Sequence, residues 1–117
     1  MNLFVKIIRR LKCAINGILF AIFNDRSYRL QIIGGFLVIG LFSYWQWPLT
    51  KIELLFLGLA WILILITELQ NSSFESALDH LHPEVHESVR ISKDMAAGAV
   101  LIAGFFLLFV MTVIIAT

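Results

Sequence analysis

The acidic residues of this chain are concentrated in one stretch, from Glu68 to Asp94. If its first part is helical, the rotation of about 100° per residue brings five oxygen-bearing side chains within roughly 100° of one another. Such a face can be merely solvated, but ionisable groups beside a membrane segment usually serve a functional site. The acids of the stretch, six of eight within 27 positions, are Glu68, Glu75, Asp79, Glu84, Glu87 and Asp94, and the oxygen-bearing face consists of Glu68, Asn71, Ser72, Glu75 and Asp79.

The spacing of the first two acids limits what they can do together. Glu68 and Glu75 are seven residues apart, so a helix separates their backbones by roughly 10 Å in height. That distance is too long for the two carboxylates to share one proton or one metal ion easily. The spacing therefore predicts two separate functions along a line, one near the lipid and one nearer the cytoplasm.

A second polar element, Ser92-Lys93-Asp94, lies at the start of the last apolar run. A lysine there can bind phosphate as a point charge, and the adjacent carboxylate can hold the lysine or a ribose hydroxyl. The alternative is an ordinary pair of charged side chains that reach from the membrane to water. Excess carboxylates, a lysine and an asparagine favour a hard-cation site of the Mg²⁺ type, in which protein carboxylates and substrate phosphates share the metal.

Other kinds of site have weaker support. Three histidines and a glutamate in one loop could bind Zn²⁺, but their closeness in sequence is the only argument for it. The chain has no Gly-x-x-x-x-Gly-Lys-Ser/Thr loop and no Gly-x-Ser-x-Gly motif, which excludes a P-loop enzyme and argues against acyl transfer. Any nucleotide must be held by side chains from helices. The four candidate zinc ligands are His80, His82, Glu84 and His86.

Length and composition define the class of protein. A chain of 117 residues allows one domain, residues 1–117, and a hydrophobic content of 60% excludes an ordinary soluble one. The single cysteine, Cys13, cannot form an intramolecular disulfide. Six basic residues precede the first long apolar segment and indicate anionic headgroups or phosphates as partners, whereas no basic patch stands apart to bind nucleic acid. They are Lys6, Arg9, Arg10, Lys12, Arg26 and Arg29.

The first two elements are a surface helix and a membrane span. Residues 2–23 place apolar side chains at helical spacing with basic residues on the other faces, which is typical of a helix lying on a membrane. Charges interrupt the run as far as Lys12 and no cleavage site follows, so we expect this segment to be retained rather than removed as a signal peptide. After a polar break over residues 24–29, residues 30–47 are long enough to cross a bilayer, with aromatic side chains at the far end.

Two longer membrane helices follow, over residues 51–79 and 87–116. Thr50 and Glu53 have the spacing of a capping box at the start of the first one. Pro83 ends this helix, and the next begins between Glu84 and Val89. Small residues from Ala96 to Gly104 allow close helix association.

The distribution of basic residues gives the orientation. Six basic residues precede the first span, and only Lys51 lies in the link between the first and the second. The positive-inside rule therefore places the amino terminus, and with it the acidic stretch, in the cytoplasm.

The polar spacing resembles the prokaryotic diacylglycerol kinase family, which includes undecaprenol kinases. The resemblance covers nearly the whole chain. It implies an all-α membrane protein with an amino-terminal amphipathic surface helix plus three transmembrane helices, assembled as a homotrimer with composite sites. The matching pattern is Glu68-x-x-Asn71-Ser72-x-x-Glu75-x-x-x-Asp79, then Glu84-x-His86-Glu87, then Lys93-Asp94-x-x-x-x-Ala99-Val100.

The resemblance also implies roles for individual residues. The family's general base falls on Glu68, and its ligands of the Mg²⁺ bound to ATP fall on Glu75 and Asp25. Relatives carry glutamate at this last position, so the side chain of Asp25 is one methylene shorter. The positions that bind ATP and its metal fall on Lys6, Asp25, Asn71, Glu75, Glu84, Val85, His86, Lys93 and Asp94.

The activity that the resemblance implies is transfer of the γ-phosphate of ATP to the hydroxyl of a membrane lipid, with Mg²⁺ as cofactor. The expected acceptor is diacylglycerol, which gives phosphatidic acid; undecaprenol is the alternative. The expected location is the inner membrane of a bacterial cell, with several passes. The alternative from another class is a non-enzymatic small membrane protein or a transporter subunit, in which the acidic face is a cation path or a solvated stalk.

Overall fold

A computed structural model describes residues 2–84 and 86–117 of the chain. The described residues form four helices joined by short links. The predicted spans over 30–47 and 51–79 correspond to helices that end at Trp45 and Leu81, so Trp47 lies beyond the helix predicted to contain it. The helices are α1 (Leu3–Asn24), α2 (Arg26–Trp45), α3 (Lys51–Leu81) and α4 (Glu87–Ala116).

The polar break between the first two helices is shorter than predicted and consists of Asp25 alone. Its backbone N–H donates to the carbonyl of Ala21 at 2.9 Å and closes α1. Its Oδ1 accepts from the backbone N–H of Tyr28 at 3.2 Å and starts α2. Because an aspartate at this cap position satisfies a free N–H of the new helix, α2 begins at once. The polar residues expected in a loop, from Arg26 to Arg29, are therefore helical.

The third helix is one uninterrupted element of 31 residues. The predicted capping box is confirmed: the Glu53 N–H donates to Thr50 Oγ1 at 3.1 Å, and the Thr50 N–H donates to Glu53 Oε1 at 2.9 Å. At 1.5 Å per residue α3 is about 46 Å long, whereas the hydrocarbon core of a bilayer is about 30 Å thick. The acidic part of α3 is therefore a continuation of the same helix that carries the apolar run, beyond the length that a bilayer requires.

Length and composition allow α3 and α4 to cross a membrane. Only 22% of the apolar window of each is buried, whereas a core helix of a soluble protein would be mostly covered by its neighbours. Large apolar side chains are exposed on all four helices. The helix α2, with 20 residues and a polar first turn, is not among the candidate spans in the described part of the chain. The class of an integral membrane protein is thus supported, and the third span stays a prediction.

The tightest packing lies at the end of the bundle away from the acidic stretch. One side chain of α2, two of α3 and two of α4 form a buried cluster there. The helices α3 and α4 run antiparallel, and α2 packs on α3. This core fixes the helix that carries the acidic face. The cluster consists of Phe42, Leu57, Ala60, Val110 and Ile114.

Between this core and the acidic stretch, Trp61 of α3 packs against Gly35 of α2. A Cβ added at Gly35 would collide with Nε1 of Trp61, so the indole occupies the space that any other side chain would fill. The Trp61 ring also packs edge-on against Phe36, with ring centroids 4.6 Å apart. The absence of a side chain at Gly35 therefore sets the distance between the two helices.

We predict that Gly35→Ala destabilises the protein, whereas the neighbouring Gly34→Ala does not. An added methyl at Gly35 must displace Trp61 or separate α2 from α3, and overpacking of this kind typically costs about 1–3 kcal/mol. A Cβ at Gly34 would meet nothing within 4 Å, and alanine is the better helix former. Thermal unfolding in detergent micelles, followed by circular dichroism, measures both variants. Equal midpoints for the two would contradict the packing described for Gly35.

Candidate active site

The carboxylate of Glu68 is buried on the side of α3 that faces the first turn of α2. Only 4% of the residue is exposed. The hydroxyl of Ser27, in the first turn of α2, donates to Glu68 Oε1 at 2.6 Å. A buried carboxylate is costly unless it is hydrogen-bonded, and this contact supplies the bond. Because Asp25 lies two residues before Ser27 in sequence, the end of α1 and the start of α2 are close to Glu68.

Further along the same face of α3 the buried stripe changes from apolar to polar. It runs from Ile64 to Glu68 and Asn71, all of them buried, and then to Glu75, which is exposed. The Asn71 amide donates from Nδ2 to Glu75 Oε1 at 3.3 Å. Its other polar atom, Oδ1, is buried and has no hydrogen-bond partner in the described part of the chain. This face therefore presents a buried oxygen acceptor between two carboxylates.

A short ion pair links the end of α3 to the start of α4. Lys93 Nζ donates to Asp79 Oδ1 at 2.6 Å. This bond raises the pKa of Lys93, which lies in the polar first two turns of α4, and the charge of Glu75 acts in the same direction. Lys93 is therefore a fixed positive charge beside the acidic face of α3.

Of the two roles predicted for the adjacent Asp94, the first is not observed, because the carboxylate that holds Lys93 is Asp79; the second, to hold a ribose hydroxyl, stays a prediction. Consecutive helical residues point about 100° apart and do not face each other. Asp94 instead pairs with Arg90 one turn earlier, at 3.0 Å, and Arg90 also bonds Glu87 at 2.6 Å.

Comparison with known proteins identifies the family of the chain. The model of the family described as prokaryotic diacylglycerol kinase matches residues 12–115. The chain belongs to this family. A curated relative from Synechocystis sp., named diacylglycerol kinase, is 36% identical over 88 residues, which are 74% of this chain and 49% of the relative. The chain thus spans about half the length of that relative.

The structure brings some of the residues implied by the family together and leaves others apart. Glu68, Asn71 and Glu75 share one face of α3, and Lys93 reaches the same helix through Asp79. Lys6 lies on α1, whose continuous helix separates it from Asp25 by about 28 Å at 1.5 Å per residue. Within one chain Lys6 therefore does not reach the start of α2.

The link between α3 and α4 carries three further positions implied by the family. Glu84 and His86 are exposed, and Val85 lies outside the described residues. His86 caps α4, because its Nδ1 accepts from the Ser88 N–H at 3.2 Å. No polar contact joins Glu84 or His86 to the acidic face of α3 in the described residues.

Protein side chains alone do not form a metal-binding site in the described residues. Within residues 2–84 and 86–117, no three Asp, Glu, His or Cys side chains come close enough to bind one, so the histidine-rich link gives no support to the zinc alternative. The oxygen atoms on the face of α3, from the Glu75 carboxylate and the unpartnered Oδ1 of Asn71, are of the kind that suits Mg²⁺ shared with substrate phosphates, and Asp25 at the start of α2 offers a further carboxylate.

One contact of the site was missed by sequence reasoning. Ser27 lies within the segment predicted to be a polar break, where a serine carries no particular signal. Its role as a partner of Glu68 follows only from the packing of α2 on α3, across 41 positions of sequence. A helical register starting at Asp25 could have placed Ser27 on the same side of α2 as Gly35, the residue that contacts Trp61.

A cavity of about 710 Å³ lies at the opposite end of the bundle. It is lined mainly by apolar side chains from the first turns of α3 and the last turns of α4, among them Phe56, Phe109 and Val113. None of the residues of the candidate site lines it, so this cavity is separate from the candidate active site.

Proposed function

We propose that this member of the family is a lipid kinase, which transfers the γ-phosphate of ATP to the hydroxyl of diacylglycerol and gives phosphatidic acid. The observation that carries the proposal is the buried, hydrogen-bonded carboxylate of Glu68, where the apolar stripe of α3 becomes polar. A base at this boundary between apolar and polar surface can be reached by a lipid hydroxyl from the membrane side and by a nucleotide from the water side.

In the proposed reaction, Glu68 accepts the proton of the lipid hydroxyl as the oxygen attacks the γ-phosphorus of ATP; the bond from this phosphorus to the bridging oxygen of the β-phosphate breaks, and ADP leaves. A base must lie within hydrogen-bond reach of the proton it removes, and the rigid helix holds Glu68 at the membrane boundary. Lys93 offers a positive charge to the phosphates. Phosphoryl transfer depends mostly on positioning and on stabilisation of charge, so side chains fixed on two packed helices are suited to it.

We propose Mg²⁺ as the cofactor, with Asp25 and Glu75 as its carboxylate ligands. The ion neutralises phosphate charge when it is bound together with ATP. Asn71 and the positions in and around the second link, Glu84, Val85, His86 and Asp94, are proposed to contact the nucleotide. The support for this set is the family pattern and the oxygen acceptors on the face of α3 that carries Asn71 and Glu75.

The proposed assembly is a homotrimer in the inner membrane of a bacterial cell, with α2, α3 and α4 as three spans and the amino terminus in the cytoplasm. Two observations support more than one copy. Lys6 lies about 28 Å along α1 from Asp25, so its contact with a nucleotide requires the site of a neighbouring copy. The space beside Gly98 and Gly104 is open, since a Cβ there would meet nothing within 4 Å. Mass measurement of the protein in detergent by light scattering tests the assembly.

The proposed activity is tested with purified protein in mixed micelles. ATP consumption and phosphorylated lipid are measured without lipid, with diacylglycerol and with undecaprenol, at equal mole fractions of the two alcohols. We expect ATP consumption that depends on diacylglycerol and yields phosphatidic acid. A clear preference for undecaprenol would show that undecaprenol, not diacylglycerol, is the acceptor. ATP consumption that does not depend on lipid, or no consumption at all, would favour a non-enzymatic membrane protein.

A further inference from the structure

We infer that Ser27 is a positioning residue for the proposed base Glu68. The inference rests on the proposed function, and it concerns a residue that the family pattern did not single out. Ser27 Oγ donates its single proton to Glu68 Oε1 at 2.6 Å, from a different helix. A hydroxyl bond to an ionised carboxylate is short and roughly twice as strong as a bond between neutral groups.

The bond determines which oxygen of Glu68 remains for chemistry. Oε1 is occupied by Ser27, whereas Oε2 accepts no hydrogen bond from the described residues. A glutamate side chain has three rotatable bonds, and an anchor at its tip removes most of their freedom. Ser27 therefore leaves one defined oxygen, Oε2, free to face the lipid hydroxyl. This fixed orientation lowers the entropic cost of reaching a reactive geometry.

The contact is not needed to hold the two helices together. Gly35 and Trp61 interlock about two helical turns away, and Phe42 joins the buried core beyond them. The interface of α2 and α3 is thus fixed by apolar contacts, and Ser27 lies at its other end, in the first turn of α2. Removal of the Ser27 hydroxyl should therefore change the orientation of the Glu68 carboxylate more than it changes the stability of the fold.

The test compares kinetic constants of the full-length protein in micelles with diacylglycerol and ATP. Ser27→Ala should lower kcat about tenfold to a hundredfold, the rate equivalent of one hydrogen bond to a charged group. The KM values for ATP and lipid should stay within about twofold, because the residue touches neither. Ser27→Thr keeps the hydroxyl and should restore most of the rate. The matched control is Ser73→Ala, which changes an exposed serine on α3 and should leave kcat and both KM values unchanged.

A double variant shows whether Ser27 acts through Glu68. On a Glu68→Gln background, Ser27→Ala should cause no further loss of kcat, since the base it positions is absent. Equal thermal unfolding midpoints for Ser27→Ala and wild type would show that the fold is kept.

The outcomes separate this inference from the proposed function. Active wild type with an unchanged Ser27→Ala rate would overturn the inference alone, as would independent losses in the double variant or a failure of threonine to restore the rate. Wild type without lipid-dependent turnover would overturn the proposed function and the role of Ser27 with it.

Discussion

Glu68→Gln should keep the fold and the binding of nucleotide but lower turnover about 10²–10⁴-fold, the usual cost of losing a general base. Glutamine has nearly the same shape and can still accept the hydrogen bond from Ser27, so the buried pocket stays filled. It cannot take the proton of the lipid hydroxyl. The measurement is initial rate with saturating diacylglycerol and ATP, together with nucleotide affinity from equilibrium binding.

The matched control is Glu53→Gln, at the other end of the same helix. Glutamine can preserve the capping box with Thr50, so this variant removes one carboxylate from α3 without touching the site. We expect wild-type turnover from it. Wild-type turnover from Glu68→Gln itself would show that Glu68 is not the base.

Glu75→Gln should raise the Mg²⁺ concentration needed for half-maximal activity as well as lower the rate. Glu75 is exposed, and one of its oxygens receives only a long bond of 3.3 Å from Asn71, so its carboxylate is available to a hard cation. Asp25→Asn should act in the same direction. Asparagine is an equally good helix cap, so this change removes the charge of Asp25 and keeps the start of α2.

Activity is titrated with Mg²⁺ at a fixed concentration of MgATP for both variants, with Glu68→Gln as the comparison. Glu68→Gln should keep the wild-type midpoint. If all three midpoints equal that of wild type, the division into one base and two metal ligands is wrong. Asp25→Glu, which restores the longer acid, should remain active.

The parts of the site that depend on a single helix could be predicted from the sequence. Helical periodicity places Glu68, Asn71 and Glu75 on one face, and the capping box of Thr50 and Glu53 marks where α3 begins. Both are local patterns, which depend on neighbours within two turns of the chain. The same reasoning locates the end of α3 close to Pro83.

The contacts between helices could not be predicted in this way. The bonds of Ser27 to Glu68 and of Asp79 to Lys93 depend on the register in which two antiparallel helices pack, and a single sequence does not record that register. The small residue that sets part of it, Gly35, looks like any other glycine in an apolar run. Adjacency in sequence favours Asp94 as the partner of Lys93, although the side chains of neighbouring residues on a helix diverge.

If α3 spans the membrane as proposed, its unbroken length makes the thickness of the host bilayer a determinant of where Glu68 lies. Lys51 and Glu68 are separated by 17 positions of one rigid helix, about 26 Å along its axis, slightly less than the hydrocarbon layer of an average membrane. With no hinge between them, a bilayer of longer acyl chains draws Glu68 into hydrocarbon, and a thinner one exposes it to water. Under the proposed function, hydrophobic mismatch would thereby make the depth of the Glu68 carboxylate, and with it the rate of lipid phosphorylation, depend on the acyl chains of the surrounding lipid.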